Sequence, residues 1–209
     1  MKKLLLITSL LTIALTGTGQ IKIGPEGGLN ISNYHFPSIQ RPYGSYPVIG
    51  FRLGIIADLA IAGDNCYLQP GVLYAHNGTT LQQNSYTLTA SGHYMSVKTI
   101  EVSMNVLYKF GNPGNSRFFI GGGIYGGKNI HSDAIYINSS SFDIGGGINA
   151  GFELKQGLLF RATAQKGFLT PRSYNITVQS SNIVLTAGYL FNRNRAGGVS
   201  GKLPDNLMQ

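Results

Sequence analysis

The sequence contains no tryptophan, and Cys66 is its single cysteine. With one thiol the chain cannot form an intramolecular disulfide, which excludes the class of small secreted domains held together by such bonds. Without tryptophan, any cluster of large aromatic side chains must be built from the 12 tyrosines and 10 phenylalanines. Acidic residues are also scarce, with 8 Asp and Glu against 16 Lys and Arg. The chain therefore has a basic balance, whose meaning depends on where the protein is located.

Long apolar runs are missing as well. The apolar stretch from Leu4 to Leu15 is too short to span a bilayer as a helix. It follows the positively charged start at Lys2 and Lys3 and precedes small residues near Gly19, so it predicts a secretory signal peptide over residues 1–20. Because an exported chain does not meet nucleic acid, the basic balance points to outer-membrane lipid and anionic lipopolysaccharide as partners, and not to nucleic acid.

What the sequence does contain is apolar residues at every second position, in about eight segments. Segments of about ten residues match the length that a tilted strand needs to cross the hydrocarbon. The 29 glycines are spread through these segments and do not form a linker. The predicted strands are Lys22–Ser32, Ile49–Ile61, Tyr67–His76, Met95–Phe110, Arg117–Gly127, Phe142–Leu154, Leu158–Phe168 and Asn182–Phe191.

The connectors between these segments alternate strictly between long and short. The long ones are predicted at Asn33–Val48, Asn77–Tyr94, Lys128–Ser141 and Leu169–Ser181. Outer-membrane barrels show this alternation, with long loops outside the cell and tight turns in the periplasm. We therefore predict an all-β fold, an eight-stranded antiparallel up-and-down transmembrane β-barrel in the outer membrane, over residues 21–191. A polar C-terminal tail follows over residues 192–209, and its composition predicts disorder.

Charged residues in the strands test this model, since a lysine or arginine facing lipid near midplane costs about 2–4 kcal/mol. Lys128 and Lys166 share the apolar parity, but both lie at predicted outer ends, where their side chains can reach lipopolysaccharide phosphates. We assign ten charged strand residues of the opposite parity to the lumen. They are Glu26, Arg52, Asp58, Lys98, Glu101, Lys109, Arg117, Asp143, Glu153 and Arg161.

Acids and bases inside a narrow barrel must pair or stay hydrated. Eight strands leave a lumen just wide enough for side chains to fill, so we expect these charges to form a plug. The alternative is that they line a path for protons or ions. Eight of them make up the predicted lumen charge network: Glu26, Arg52, Asp58, Glu101, Lys109, Asp143, Glu153 and Arg161.

Catalysis and metal binding would need positioned histidines. The four histidines, at positions 35, 76, 93 and 131, lie in predicted outer loops or at strand ends, and Asp133 is the single acid in the long loops. A hydrolytic site would lack an orienting carboxylate. A metal site is geometrically possible, but isolated surface histidines are the commoner explanation of such a pattern. We expect no enzymatic activity, no catalytic residues, no metal and no cofactor.

The predicted loops are rich in tyrosine beside small polar residues, a composition that suits adaptable recognition. The same tyrosines could instead form the interfacial belt of the barrel. They are Tyr34, Tyr43, Tyr46, Tyr86, Tyr94, Tyr136 and Tyr174.

Four stretches carry a resemblance to a known family: the opening Lys22–Ser32, the stretch Leu68–Tyr74, the segment Ile100–Phe110 and the late Gly188–Phe191. They resemble the small outer-membrane β-barrel proteins of the Bacteroidetes type, which include PorT-like members. This resemblance covers nearly all of the mature chain and implies an eight-stranded barrel wall in the outer membrane, without a catalytic signature. PorT-like members are linked to a protein secretion system. The tail after Phe191 departs from barrels that end at their final aromatic residue.

These observations together predict a non-enzymatic barrel with a plugged lumen and a structural or binding role at the cell surface. The alternatives are a PorT-like secretion accessory, which would have secretion-system partners, and a narrow porin.

Overall fold

A computed structural model describes residues 21–35, 43–83, 92–133, 141–169 and 178–192. The predicted signal peptide and residues 193–209 of the predicted tail lie outside these ranges. No helix in the described ranges is long and apolar enough to cross a membrane. The strands are β1 (Ile21–His35), β2 (Tyr43–Ala62), β3 (Cys66–Gln83), β4 (Gly92–Phe110), β5 (Arg117–Ser132), β6 (Phe142–Glu153), β7 (Leu158–Leu169), β8 (Gln179–Tyr189) and β9 (Phe191–Asn192).

The strands form one closed antiparallel sheet. Each strand from β1 to β7 pairs with the next, and β1 also pairs with β8. Ile23 pairs with Phe191 in the same register in which Glu26 pairs with Gly188, so β9 continues β8 beyond Leu190. The wall therefore has eight strands and no exposed edge, which confirms the predicted fold class.

The register of the pairs gives the stagger of the barrel. Following paired residues once around the wall from Ile21 leads back to Ile31 of the same strand, a stagger of ten residues. The path passes through Leu59, Leu68, Val106, Gly122, Ile148, Ala164 and Ile183. Strand number and stagger together fix the tilt and the radius of a barrel. At eight strands the enclosed space is filled by side chains.

Short turns close one end of the barrel, at residues 63–65, 111–116 and 154–157. Among the described residues the glycines with positive φ all lie in these turns: Gly63 (58°), Gly111 (101°), Gly114 (85°) and Gly157 (97°). Glycine adopts this conformation without a steric penalty. We call this the short-turn end and the opposite end the loop end. In outer-membrane barrels the short turns face the periplasm.

The strands run farther toward the loop end than the sequence predicted. β3 was expected to end at His76 and continues to Gln83, while β2 begins at Tyr43, six residues before the expected start. Where the wall leaves the hydrocarbon, its outer face no longer needs apolar residues, but backbone pairing continues. The alternation on which the prediction relied therefore stops before the strand does. The long connectors are correspondingly shorter than predicted.

The outward face is apolar, with Ile55, Val72 and Ile124 more than half exposed to the surroundings. Near the short-turn end, aromatic rings touch both within a strand and between neighbouring strands. The ring centroids of Tyr108 and Phe110 lie 4.9 Å apart, and those of Phe118 and Phe152 lie 5.3 Å apart. Such rows of aromatic side chains are typical of the girdle at a membrane interface.

Inward-facing glycines make room for large rings in the lumen. A Cβ atom at Gly151 would lie 2.6 Å from the ring of Phe119, and one at Gly145 would lie 2.5 Å from the ring of Tyr125. Phe119 and Tyr125 are both buried. Cross-strand contacts between glycine and an aromatic ring therefore help to fill the interior and fix the register of β5 against β6.

Candidate functional site

The barrel interior holds five acidic and five basic side chains among the described residues. All eight residues of the predicted lumen network point inward: Asp143 is half-buried and the other seven are buried. Lys22 and Arg117 join them. The acids are Glu26, Asp58, Glu101, Asp143 and Glu153, and the bases are Lys22, Arg52, Lys109, Arg117 and Arg161. The interior therefore carries equal numbers of formal charges of each sign.

Glu153 is the centre of a cluster at the short-turn end. Its carboxylate accepts hydrogen bonds from Lys22 at 2.6 Å, Lys109 at 2.6 Å and Arg117 at 3.2 Å. The Lys109 ammonium also binds Asp58 and lies 4.4 Å from the centre of the Tyr67 ring. The side chains of Lys109 and Asp58 are completely inaccessible to solvent. Lys109 thus connects two carboxylates in a dry environment.

Gln69 connects this cluster to the middle of the barrel. Its amide nitrogen donates to Asp58 at 2.8 Å, and its amide oxygen accepts a hydrogen bond from Arg161. Arg161 in turn lies 3.3 Å from Glu26. Glu26 accepts a further hydrogen bond from Thr186 at 2.5 Å. These contacts join five of the eight strands through polar side chains.

Farther toward the loop end the interior becomes less charged. Arg52 pairs with Glu101, which also accepts a hydrogen bond from Gln165 at 3.3 Å. Asp143 has no cationic partner among the described residues and instead accepts hydrogen bonds from Ser180 at 2.7 Å and Tyr125 at 3.2 Å. It therefore stands apart from the network to which the sequence analysis assigned it.

Neutral polar side chains fill the remaining interior near the loop end. Asn77 contacts Asn30 and Thr99, and Thr99 donates to Asn129 at 2.9 Å. Tyr34 is buried here within β1. Its prediction as part of an exposed loop surface is wrong, because β1 continues to His35 and turns this side chain inward.

Other predicted surface residues are accessible. Tyr46 and Tyr94 are about half exposed at the loop end. The predicted lipopolysaccharide-contacting residues, Lys128 and Lys166, are both exposed. Tyr86, Tyr136 and Tyr174 and the side chain of Tyr43 lie outside the described part of the chain.

The assignment of Lys98 to the lumen is wrong. Lys98 is three residues from the buried Glu101, and this odd spacing places it on the outward parity shared with Ile100. It is half-buried near the loop end, where it pairs across the sheet with His76 and His131. Its amine is therefore not a member of the interior network.

A comparison of the whole sequence with known protein families agrees with the closed barrel. Residues 16–194 match a family model described as an outer membrane protein beta-barrel domain. The chain belongs to this family. The barrel is therefore an outer-membrane protein, as the sequence analysis predicted. No curated protein sequence matches it.

Solved structures of other barrels are similar at low sequence identity. OprG from Pseudomonas aeruginosa is 14% identical, with 83% of this chain and 96% of that chain covered and a TM-score of 0.49. Neisserial surface protein A is 15% identical, with coverages of 81% and 97% and a TM-score of 0.47. Ail of Yersinia pestis, solved in complex with the heparin analogue sucrose octasulfate, is 14% identical, with coverages of 82% and 99% and a TM-score of 0.45.

Three interior residues of the barrel were missing from the predicted network. Arg117 was assigned to the lumen but not to the network, and the parity of Lys22 relative to Ile23 would have placed Lys22 inside as well. Gln69 carries no charge, so a search for charged residues could not find it. Its position in the network follows only from the register of β3 against its neighbours.

Proposed function

We propose that the protein is a non-enzymatic outer-membrane barrel with a plugged lumen and a structural or binding role at the cell surface. The observation that carries the proposal is the interior network, in which charges of both signs are buried and paired. A conducting pore needs a continuous column of water, and the complete inaccessibility of the Lys109 and Asp58 side chains supports a closed lumen.

The network also resists rearrangement. Glu153 is held by three cations, and moving Lys109 away would leave Asp58 buried without a cationic partner. Breaking a buried ion pair in this way costs about 3–5 kcal/mol. A fluctuation that opened the lumen would have to separate several such pairs together, so the closed state is strongly favoured.

The working surface in this proposal is the loop end. Tyr46 and Tyr94 offer large, rigid and partly polar contact area there. Lys128 and Lys166 extend outward near the same end and could contact lipopolysaccharide phosphates. A binding role needs only these exposed groups and does not require passage through the barrel.

Side-chain contacts at the loop end also support a non-enzymatic role. The Ser96 hydroxyl lies 2.9 Å from His76, whereas the carboxylate of Asp133 lies 2.9 Å from His131. A nucleophilic serine needs its base and the orienting acid in one chain of contacts. Here the hydroxyl and the carboxylate contact different histidines.

Single-channel recording in planar bilayers tests the plug. The unmodified barrel should give little steady current, and a variant with Asp58→Asn, Lys109→Met and Glu153→Gln should leak, because it loses the charges that hold the short-turn cluster together. Lys128→Gln with Lys166→Gln is the matched control and should stay closed. Large, stable currents from the unmodified protein would favour the narrow porin alternative.

A pull-down experiment tests the PorT-like secretion accessory. Such a role would use the periplasmic turns and the tail, so removal of residues 193–209 should release periplasmic partners while the barrel still folds. A surface-binding role predicts that the same truncation leaves the set of captured proteins unchanged.

A further inference from the structure

The short-turn end contains a polar pocket of about 450 Å³. Lys22 and Arg117 line it from the wall, and Lys155 lines it from the turn between β6 and β7. Its rim includes Tyr189 and Phe191, whose side chains lie on the outward face. The pocket therefore opens where the aqueous mouth of the barrel meets the lipid.

The cations around this pocket are not fully neutralised. Lys22 and Arg117 share the single carboxylate of Glu153 with Lys109. The Arg117 Nε atom is buried without a hydrogen-bond partner. Lys155 is exposed and forms no ion pair with any residue in the described ranges. The pocket thus has a surplus of positive charge and unused donors, which suits an anionic group.

An apolar groove of about 430 Å³ lies directly outside the wall. It is lined by Ile21, Ile23 and Ile55, together with Gly24 and Pro25, at which the outer surface of the wall is recessed. Phe191 lines both the groove and the polar pocket. One aromatic residue therefore separates a hydrocarbon-facing groove from a cationic pocket.

We propose that this rim binds one anionic phospholipid, with an acyl chain along the groove and the headgroup phosphate at Lys155 and Lys22. The short-turn end faces the periplasm in barrels of this type, and the adjacent leaflet of the outer membrane consists of phospholipid. An elongated molecule with an anionic head and an apolar chain matches both halves of the site. This binding is independent of the proposed role of the loop end.

The absence of tryptophan makes the site directly observable. Phe191→Trp places a single fluorophore at the rim, and Phe168→Trp places one on the outward face near the opposite end. Both variants are reconstituted in phosphatidylcholine vesicles that contain brominated phosphatidylglycerol or brominated phosphatidylcholine as the quencher. We expect about a fivefold preference for phosphatidylglycerol at position 191, the factor that one lysine near an anionic headgroup provides. Position 168 should show no preference arising from this site.

Substitution of the exposed lysine then tests the assignment. Lys155→Gln in the Phe191→Trp protein should reduce the preference to near unity, because the charge of Lys22 is already paired with Glu153 at 2.6 Å. Lys166→Gln should leave the preference unchanged. Equal quenching by the two lipids in the parent protein, or a preference that survives Lys155→Gln, would overturn the proposal. Loss of the preference in inorganic phosphate, but not in chloride of equal ionic strength, would show that the pocket binds the anion alone and would also overturn it.

Discussion

Replacement of Lys109 by methionine should destabilise the barrel more than any substitution of an exposed lysine. The change keeps an unbranched apolar stem of four atoms and removes the ammonium that binds Asp58 and Glu153. Glu153 would keep Lys22 at 2.6 Å and Arg117 at 3.2 Å. Asp58 would keep only the Gln69 amide at 2.8 Å.

The expected loss of stability follows from this difference between the two carboxylates, since Glu153 keeps two cations and Asp58 keeps none. A buried carboxylate that loses its cation costs about 3–5 kcal/mol, and here Asp58 supplies most of that cost. The double variant Asp58→Asn with Lys109→Met removes the uncompensated charge, so it should recover most of the loss. The coupling energy between the two substitutions should be on the order of 2 kcal/mol.

Unfolding by denaturant in lipid vesicles measures these differences, with the folded fraction read from the migration of unheated samples on gels. Lys166→Met, on the outward face, is the control and should not measurably change the midpoint. A loss below about 1 kcal/mol for Lys109→Met would mean that Asp58 is hydrated or neutral. A double variant no more stable than the single one would refute the electrostatic explanation.

Two further predictions concern the wall. In a Cys66→Ser background, an impermeant maleimide applied to intact cells should label Asp133→Cys strongly and Lys155→Cys weakly, and the opposite pattern would invert the topology. Gly151→Ala should cost about 1–3 kcal/mol in the same unfolding assay, because the added methyl group meets the Phe160 carbonyl oxygen and the Phe119 ring. Gly126→Ala has open space around its Cβ position and should be close to neutral, so equal effects of the two substitutions would contradict the packing described for the lumen.

Parity predicted the direction of most side chains because a strand alternates between its two faces without exception as long as it is regular. The interior positions of Arg52, Glu101 and Arg161 follow from this rule alone. Which acid meets which base does not follow, because partners from distant strands are set by the stagger of the whole sheet. The pairing of Lys109 with both Asp58 and Glu153 is an example.

The strand ends were the least predictable part of the fold. Tyr34 was assigned to a loop because the residues around it are polar, whereas the backbone ladder continues past it to His35. Polar side chains are compatible with pairing once the wall is outside the hydrocarbon. The alternation of side chains also could not predict the separate environment of Asp143. That environment depends on hydrogen bonds from Ser180 and Tyr125, which are uncharged and are not found by a search for charged residues.

The ten-residue stagger has a consequence for how the barrel assembles. The seam that closes the wall joins β1 to β8, and its side chains include Thr186 and Glu26, which are 160 residues apart in sequence. No earlier pair can complete the cylinder, so a chain that stops before β8 leaves two unpaired edges. If the register of one strand pair is shifted, the remaining pairs must shift in the opposite direction before β1 can pair with β8. Closure is therefore a non-local step that tests the register of every strand at once.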